Sequence, residues 1–158
     1  MSEFIEFVNE CFKDITTEYY SFSPTGTYPN LICIVKLEVL EALNNIIVFA
    51  CMSGLNIDLL QAKCLKLLES KRNDYANLKN RYSNFERTRD ILQYWNPIPD
   101  LVEYTPTLVF ACNMAQKITR IENLLAQNKE PENEPLIDSF VDLINYRLLW
   151  EGYKRGLQ

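Results

Sequence analysis

The stretch PLIDSFVDLINYRLLW, Pro135 to Trp150, decides the fold. Its apolar residues fall at Leu136/Ile137, Phe140/Val141, Ile144 and Leu148, the three-and-four recurrence of a helix that lays one face on a core. Pro135 suits the opening of a helix and Gly156 its close, so the spacing predicts a helix from Leu136 to about Lys154. Opposite the apolar stripe stand Glu134, Asp138 and Asp142, four residues apart and therefore stacked on one face, with Asn145 and Tyr146 nearby.

Upstream, Thr105-Pro106 is a start signal, an N-cap threonine followed by proline at the first helical position, for a helix running to about Gln127. The polar connection NKEPENE (128–134) between these two helices is short, which predicts that they lie antiparallel. Farther back, Arg81 to Trp95 reads as a shorter helix stopped by Asn96-Pro-Ile-Pro99. Asn56 caps a helix from Ile57 to about Ala76 whose inner face is Leu59/Leu60, Lys63/Cys64 and Leu67/Leu68. Asn30 to Ser53 reads as one buried helix with Gly54 beyond its end. Glu3 to Tyr20 has helical spacing with Ser2 as N-cap, and SFSPTGTYP (21–29) holds the turn formers. No strand pair emerges. The expectation is an all-α, single-domain helical bundle of five or six helices over residues 1–158, with N-terminal helices in 1–70. Its core is expected to hold Phe7, Leu37, Ile47, Leu60, Leu67, Leu108, Ile118, Phe140, Ile144 and Leu148.

Composition excludes more than it selects. The chain has 158 residues, of which 47% are hydrophobic and 23% charged, an ordinary globular balance. Histidine is absent, which removes Ser-His-Asp and Cys-His catalysis, His-ligated zinc and imidazole bases together. The net charge of −5 argues against an extended nucleic-acid footprint, which selects a Lys/Arg excess. Residues 71–100 are the exception, with six basic and four acidic side chains. The five cysteines, Cys11, Cys33, Cys51, Cys64 and Cys112, form no CxxC and sit in apolar runs, as in a reducing interior. The N-terminus lacks the basic region of a signal peptide, and the longest apolar run, Ile46 to Met52, is far short of a membrane span. No membrane partner and a cytoplasmic location are expected.

Three constellations carry candidate chemistry. Glu134, Asp138 and Asp142 repel one another, so cations should face them. Asn113, Lys117 and Arg120 of the preceding helix share a face and could meet that stripe across the hairpin. The two stripes either form interhelical ion pairs or frame a site in which the carboxylates hold Mg²⁺ and Lys117 and Arg120 hold phosphate oxygens. The cluster Lys71, Arg72, Asp74 and Tyr75, followed by Arg81, Asn84 and Phe85, either is a solvated helix end with Tyr75 and Phe85 as core anchors or offers charge for a phosphate, a ring for a base and an amide for its edge. Glu38 and Glu41 form an ExxE pair that either faces water or shares a cation.

KRNDY (71–75), Asn84-Phe85, Lys117, Arg120-Ile121, Leu124-Leu125 and EPENEPLIDSFVDLINY (130–146) together resemble the nucleotide-modification-associated domain of the first type, a small α-helical family of phage and bacterial genomes. The resemblance covers residues 71–150 and is most specific over Asn133–Tyr146. It implies a helical domain tied to nucleotide or base modification. Upstream, Glu38, Glu41, Gly54, Ile57-Asp58-Leu59 and Lys66 are similar to the second half of MazG-like all-α nucleotide pyrophosphohydrolases, which implies acidic residues holding Mg²⁺.

These readings lead to a protein that binds or processes nucleoside phosphates, with Mg²⁺ if a bond is hydrolysed. Its candidate substrate contacts are Lys71, Asp74, Tyr75, Asn84, Lys117, Arg120 and Tyr146, and its candidate metal ligands Glu134, Asp138, Asp142, Glu38 and Glu41. Two alternatives stand beside it: a non-enzymatic phage protein, in the host cytoplasm, that sequesters a signalling nucleotide or binds a host protein, and a structural adaptor whose polar stripes only pair with each other. Leu92, Tyr94, Trp95 and Ile98 sit beside a proline-rich turn where one small bundle has difficulty burying them, which suggests a homo-oligomer, a C₂ dimer.

Overall fold

A computed structural model describes residues 2–15, 29–70, 80–127 and 135–158. Among them are six α-helices and no strand: α1 (Glu3–Asp14), α2 (Val39–Met52), α3 (Ile57–Glu69), α4 (Ser83–Trp95), α5 (Pro106–Gln127) and α6 (Leu136–Arg155), with a 3-10 turn at Ile32–Val35 before α2. The start signals behave as their chemistry requires. Ser2 Oγ accepts from Ile5 N at 3.2 Å, Asn56 Oδ1 from Leu59 N at 3.0 Å, and Thr105 Oγ1 from Leu108 N at 3.3 Å. Gly156 follows α6 with φ +70°, where a residue without Cβ is favoured.

The last two helices are antiparallel, as the short connection predicts. Thr107 meets Trp150, Lys117 meets Asp142, and Arg120 meets Ser139, so position rises on one helix as it falls on the other. The face assigned to α6 needs correction, however. It is not amphipathic: twelve of its twenty residues are buried, including Ser139, Asn145 and Arg147, and they point in every direction. α6 is the central helix of the bundle, with α2, α3 and α5 packed around it. Asp138 and Asp142 are half-buried on it, and Asp142 is paired with Lys117 of α5.

Asn30 to Ser53 is likewise not one helix. The backbone breaks at Lys36–Glu38, where Glu38 turns extended at φ −61°, ψ 152°. The cause lies in α6: the buried guanidinium of Arg147 donates from Nε to Ile34 O at 3.3 Å and from its terminal nitrogen to Leu37 O at 3.1 Å. Carbonyls that a continuous helix would use internally are taken by one arginine. α3 shows a narrower inner face than expected. Leu60, Cys64 and Leu68 are buried, whereas Leu59 and Leu67 are 51% and 38% exposed. In α5, Val109 and Phe110 are buried while Leu108 is only half-buried.

Around this axis, Phe85 of α4 stacks on Phe110 of α5 at 4.0 Å between ring centres, and Phe49 of α2 packs on Phe140. The C-terminal end is tied back. Gln158 O accepts from Phe4 N at 3.2 Å, and the buried Tyr82 donates its hydroxyl proton to Leu157 O. Burial pushes the Tyr82 phenol up to about 12. No described helix is long and apolar enough to cross a membrane.

Candidate ligand-binding cleft

The acidic and basic stripes of α5 and α6 interlock. Lys117 Nζ lies 2.9 Å from Asp142 Oδ2, each side chain about one-fifth exposed. Arg120 donates from Nε to Ser139 Oγ at 2.9 Å. Asp138 belongs to another neighbourhood. With Asp142 it forms one wall of a cleft of about 610 Å³ between α6 and α3, and Lys63 and Lys66 stand on the other wall above Leu59, Leu67 and Val141. The sequence reading placed Lys63 on an inner face and took neither lysine for a partner of the acids. Their i, i+3 spacing beside the exposed Leu59 was the available signal.

This changes the charge balance. Glu134 lies outside the described residues. The described neighbourhood holds two carboxylates, Asp138 and Asp142, beside Lys63, Lys66, Lys117 and Arg120. Glu38 and Glu41 are elsewhere, exposed at the start of α2. Arg147 holds Leu37 O, and Arg147 follows Asp138 by nine residues, roughly 13 Å along the helix axis. Among the described residues no group of three or more Cys, Asp or Glu side chains converges. A Mg²⁺ site needs several oxygen ligands with little opposing charge. The described residues do not fit it.

Further cations from α6 are not in reserve for the acids. Arg147 Nη1 is 2.8 Å from Glu151 Oε1, and Lys154 and Arg155 close on the same carboxylate. Trp150 lies between Arg147 and Lys154, 4.7 and 3.6 Å from its ring. Burial would raise the Glu151 carboxyl, but the hydrogen bonds from Arg147 and Arg155 outweigh it and hold the group below its ordinary value.

A second opening of about 390 Å³ lies where α4, α5 and α6 meet, lined by Asn84, Arg87 and Thr88 of α4, Asn113 of α5 and Tyr146 of α6, with Phe85 and Val109 at its base. Local chemistry sets its walls. Asn80 accepts from Tyr82 N at 2.9 Å and donates to Glu86 Oε1 at 3.1 Å, which fixes the first turn of α4 and hence Asn84. Phe85, anchored on Phe110, meets the Tyr146 ring edge-on at 6.0 Å. Lys117 stands one turn beyond Asn113 and Asp142 one turn before Tyr146, so their ion pair lies between the two clefts.

Of the expected substrate contacts, Asn84 and Tyr146 thus share one cleft, Lys117 is its neighbour, and Arg120 is a turn farther along α5 on Ser139. Lys71, Asp74 and Tyr75 lie outside the described residues. Asn113 was singled out only as a member of the basic stripe, and Arg87 was not singled out at all. All five cysteines are free thiols. Burial pushes the Cys11 thiol up to about 12 and raises Cys64 strongly, so neither supplies a thiolate. No protein-family model matches the chain, and no curated protein and no solved structure matches it.

Proposed function

We propose that this protein binds a nucleoside phosphate, without cleaving it, in the cleft between α4, α5 and α6. The observation that carries this is the meeting of Asn84, Asn113 and Tyr146, from three separate helices, around one open cleft. A carboxamide offers both donors and an acceptor, so two of them can pair with the edge of a base, and a tyrosine ring can pack against its face. Cations stand where an anionic tail would run: Arg87 on the α4 wall and Lys117 one turn along α5, where phosphate oxygens would compete with Asp142. Binding is favoured over hydrolysis because, among the described residues, no carboxylate lines the cleft.

The test is thermal unfolding with nucleosides and with nucleoside mono-, di- and triphosphates. A ligand at 100 times its Kd adds about 2.7 kcal/mol, which at about 2–4 °C per kcal/mol for a chain of this size raises Tm by roughly 5–10 °C. Asn113→Leu should abolish the shift with little change in the unliganded Tm. If no member of the panel at millimolar concentration moves the wild-type Tm, the proposal is wrong. A second reading, a module that binds protein, is favoured by the apolar corner that follows α4.

A further inference from the structure

Two apolar surfaces lie open outside the α4–α5–α6 cleft. At the corner after α4, Tyr94 is 88% exposed and Trp95 69%, on a backbone held by Tyr104, whose hydroxyl accepts from Ile98 N at 2.9 Å. Those side chains select no ligand by charge. The cleft between α3 and α6 does. Leu59, Ala62, Lys63, Lys66 and Leu67 recur three and four apart, so they form one stripe of α3 beside its buried face of Leu60, Cys64 and Leu68. Asp138, Val141 and Asp142 form the facing stripe of α6. The two helices are joined at Cys64, whose Sγ lies 4.0 Å from Val141 O and whose carbonyl accepts from Asn145 Nδ2 at 3.4 Å. The cleft is therefore built into their packing, as ligand sites ordinarily are.

Its charges are divided by wall. Lys63 and Lys66 stand roughly 4.5 Å apart along the α3 axis, close enough for both to reach one carboxylate. On the α6 wall Asp142 is paired with Lys117, but among the described residues no ion pair forms at Asp138, Lys63 or Lys66. Cations and a carboxylate thus face each other across Leu59, Leu67 and Val141 without meeting. We propose that this cleft binds a short apolar peptide through its free ends: the ammonium on Asp138, the carboxylate between Lys63 and Lys66, the side chains on the apolar floor. Charge complementarity selects this occupant over simpler ones. A fatty anion would satisfy the lysines but lay its chain against Asp138 and strip that carboxylate of water. A cationic amphiphile would do the same to the lysines. Size points beyond a lone amino acid, since about 610 Å³ lies well inside the roughly 300–1,000 Å³ of pockets for drug-sized ligands.

The inference is independent of nucleotide binding, because the two clefts share no lining residue. Its test is amide chemical-shift mapping on the isotope-labelled full chain, titrated with the tripeptide Leu-Ala-Leu. Saturable shifts should centre on Ala62, Lys66 and Val141. Acetylating the peptide's amine or amidating its carboxylate should each weaken binding about tenfold or more, the loss of a charge-assisted hydrogen bond. Asp138→Asn should weaken the free peptide by a similar factor and leave the acetylated peptide unaffected. Lys63→Gln combined with Lys66→Gln should stand in the same relation to the amidated peptide. A merely structural role for these side chains would not distinguish the probes. Ala62→Trp, at an exposed position, should fill the cleft and abolish binding while the helical circular dichroism and Tm are kept. Free leucine, with one apolar side chain fewer to bury, should bind about tenfold more weakly or worse. Equal affinity for free leucine overturns the peptide assignment. No saturable shift at millimolar tripeptide, or blocked peptides that bind as well as the free one, overturns the inference.

Discussion

Gly152 lies in the interior of α6, and a Cβ placed on it would stand 2.7 Å from Tyr82 Oη and 3.5 Å from Phe4 Cδ2. Gly152→Ala therefore sets two effects against each other. Alanine is the better helix former by about 1 kcal/mol. Against that, Tyr82 has nowhere to withdraw. It is 4% exposed, its ring packs on Phe4 at 6.4 Å and edge-on to Tyr153 at 5.7 Å, and its hydroxyl is bonded to Leu157 O. Forcing it aside adds about 1–3 kcal/mol of overpacking and loosens a hydrogen bond with a net contribution of about 1 kcal/mol. The variant should be roughly 1–3 kcal/mol less stable, a fall of about 3–10 °C in Tm. Tyr82→Phe removes the atom in conflict, so in that background Gly152→Ala should be neutral or stabilising by up to about 1 kcal/mol. A urea-denaturation cycle over the four proteins should give a coupling of about 2 kcal/mol between the two sites. Equal loss in both backgrounds would refute the steric account, and so would a stabilised Gly152→Ala single variant.

Other outcomes follow from the polar contacts. Asp142→Asn removes the carboxylate beside the Lys117 ammonium at a position only about one-fifth exposed. The loss should be about 1–2 kcal/mol, between an exposed pair and a buried one, with part of it recovered by adding Lys117→Met; an Asn variant as stable as wild type would show that the pair contributes nothing measurable to stability. Glu151 is held below its ordinary value of 4.5, so the folded chain takes up that proton less readily than the unfolded one. Its contribution is present above the unfolded pKa and disappears as pH falls through the folded one. Glu151→Gln should therefore flatten the stability–pH curve below about pH 5, measured as Tm against pH, and an unchanged acid limb would count against the Arg147–Glu151 geometry. Tyr104→Phe should speed hydrogen exchange at the Ile98 amide while leaving α5 and α6 protection intact.

Local signals were legible because local chemistry decides them. Asn56, Thr105-Pro106, Gly54 and Gly156 mark helix ends through groups within four residues, and all four stand where the sequence placed them. What the pattern misjudged depends on residues far away in the chain. Nothing near Lys36 announces a break, since the arginine that takes the Leu37 carbonyl is 110 residues distant. Asp138 and Asp142 called for cations, and the sequence looked for them on α5 alone: Lys117 is there for Asp142, but Lys63 and Lys66 come from α3, which no local pattern joins to α6. The cleft was half visible for the same reason. Asn84 and Tyr146 were chosen by chemistry, but only packing could show that Asn113 and Arg87 join them.

That α6 is the hub has a consequence for how the chain is made. A ribosome delivers α1 through α5 before the helix they pack around exists, at about 5–20 residues per second. Until Leu136–Arg155 emerges, Phe110, Ile47 and Leu60 lack their common neighbour, and the 3-10 turn lacks the guanidinium that holds it. Folding in stages from the N-terminus is thereby replaced by a single late closure, with the earlier helices exposing apolar surface during synthesis. A nascent chain stalled before residue 136 should be captured by chaperones and cut readily by protease, whereas one stalled with α6 clear of the exit tunnel should resist both.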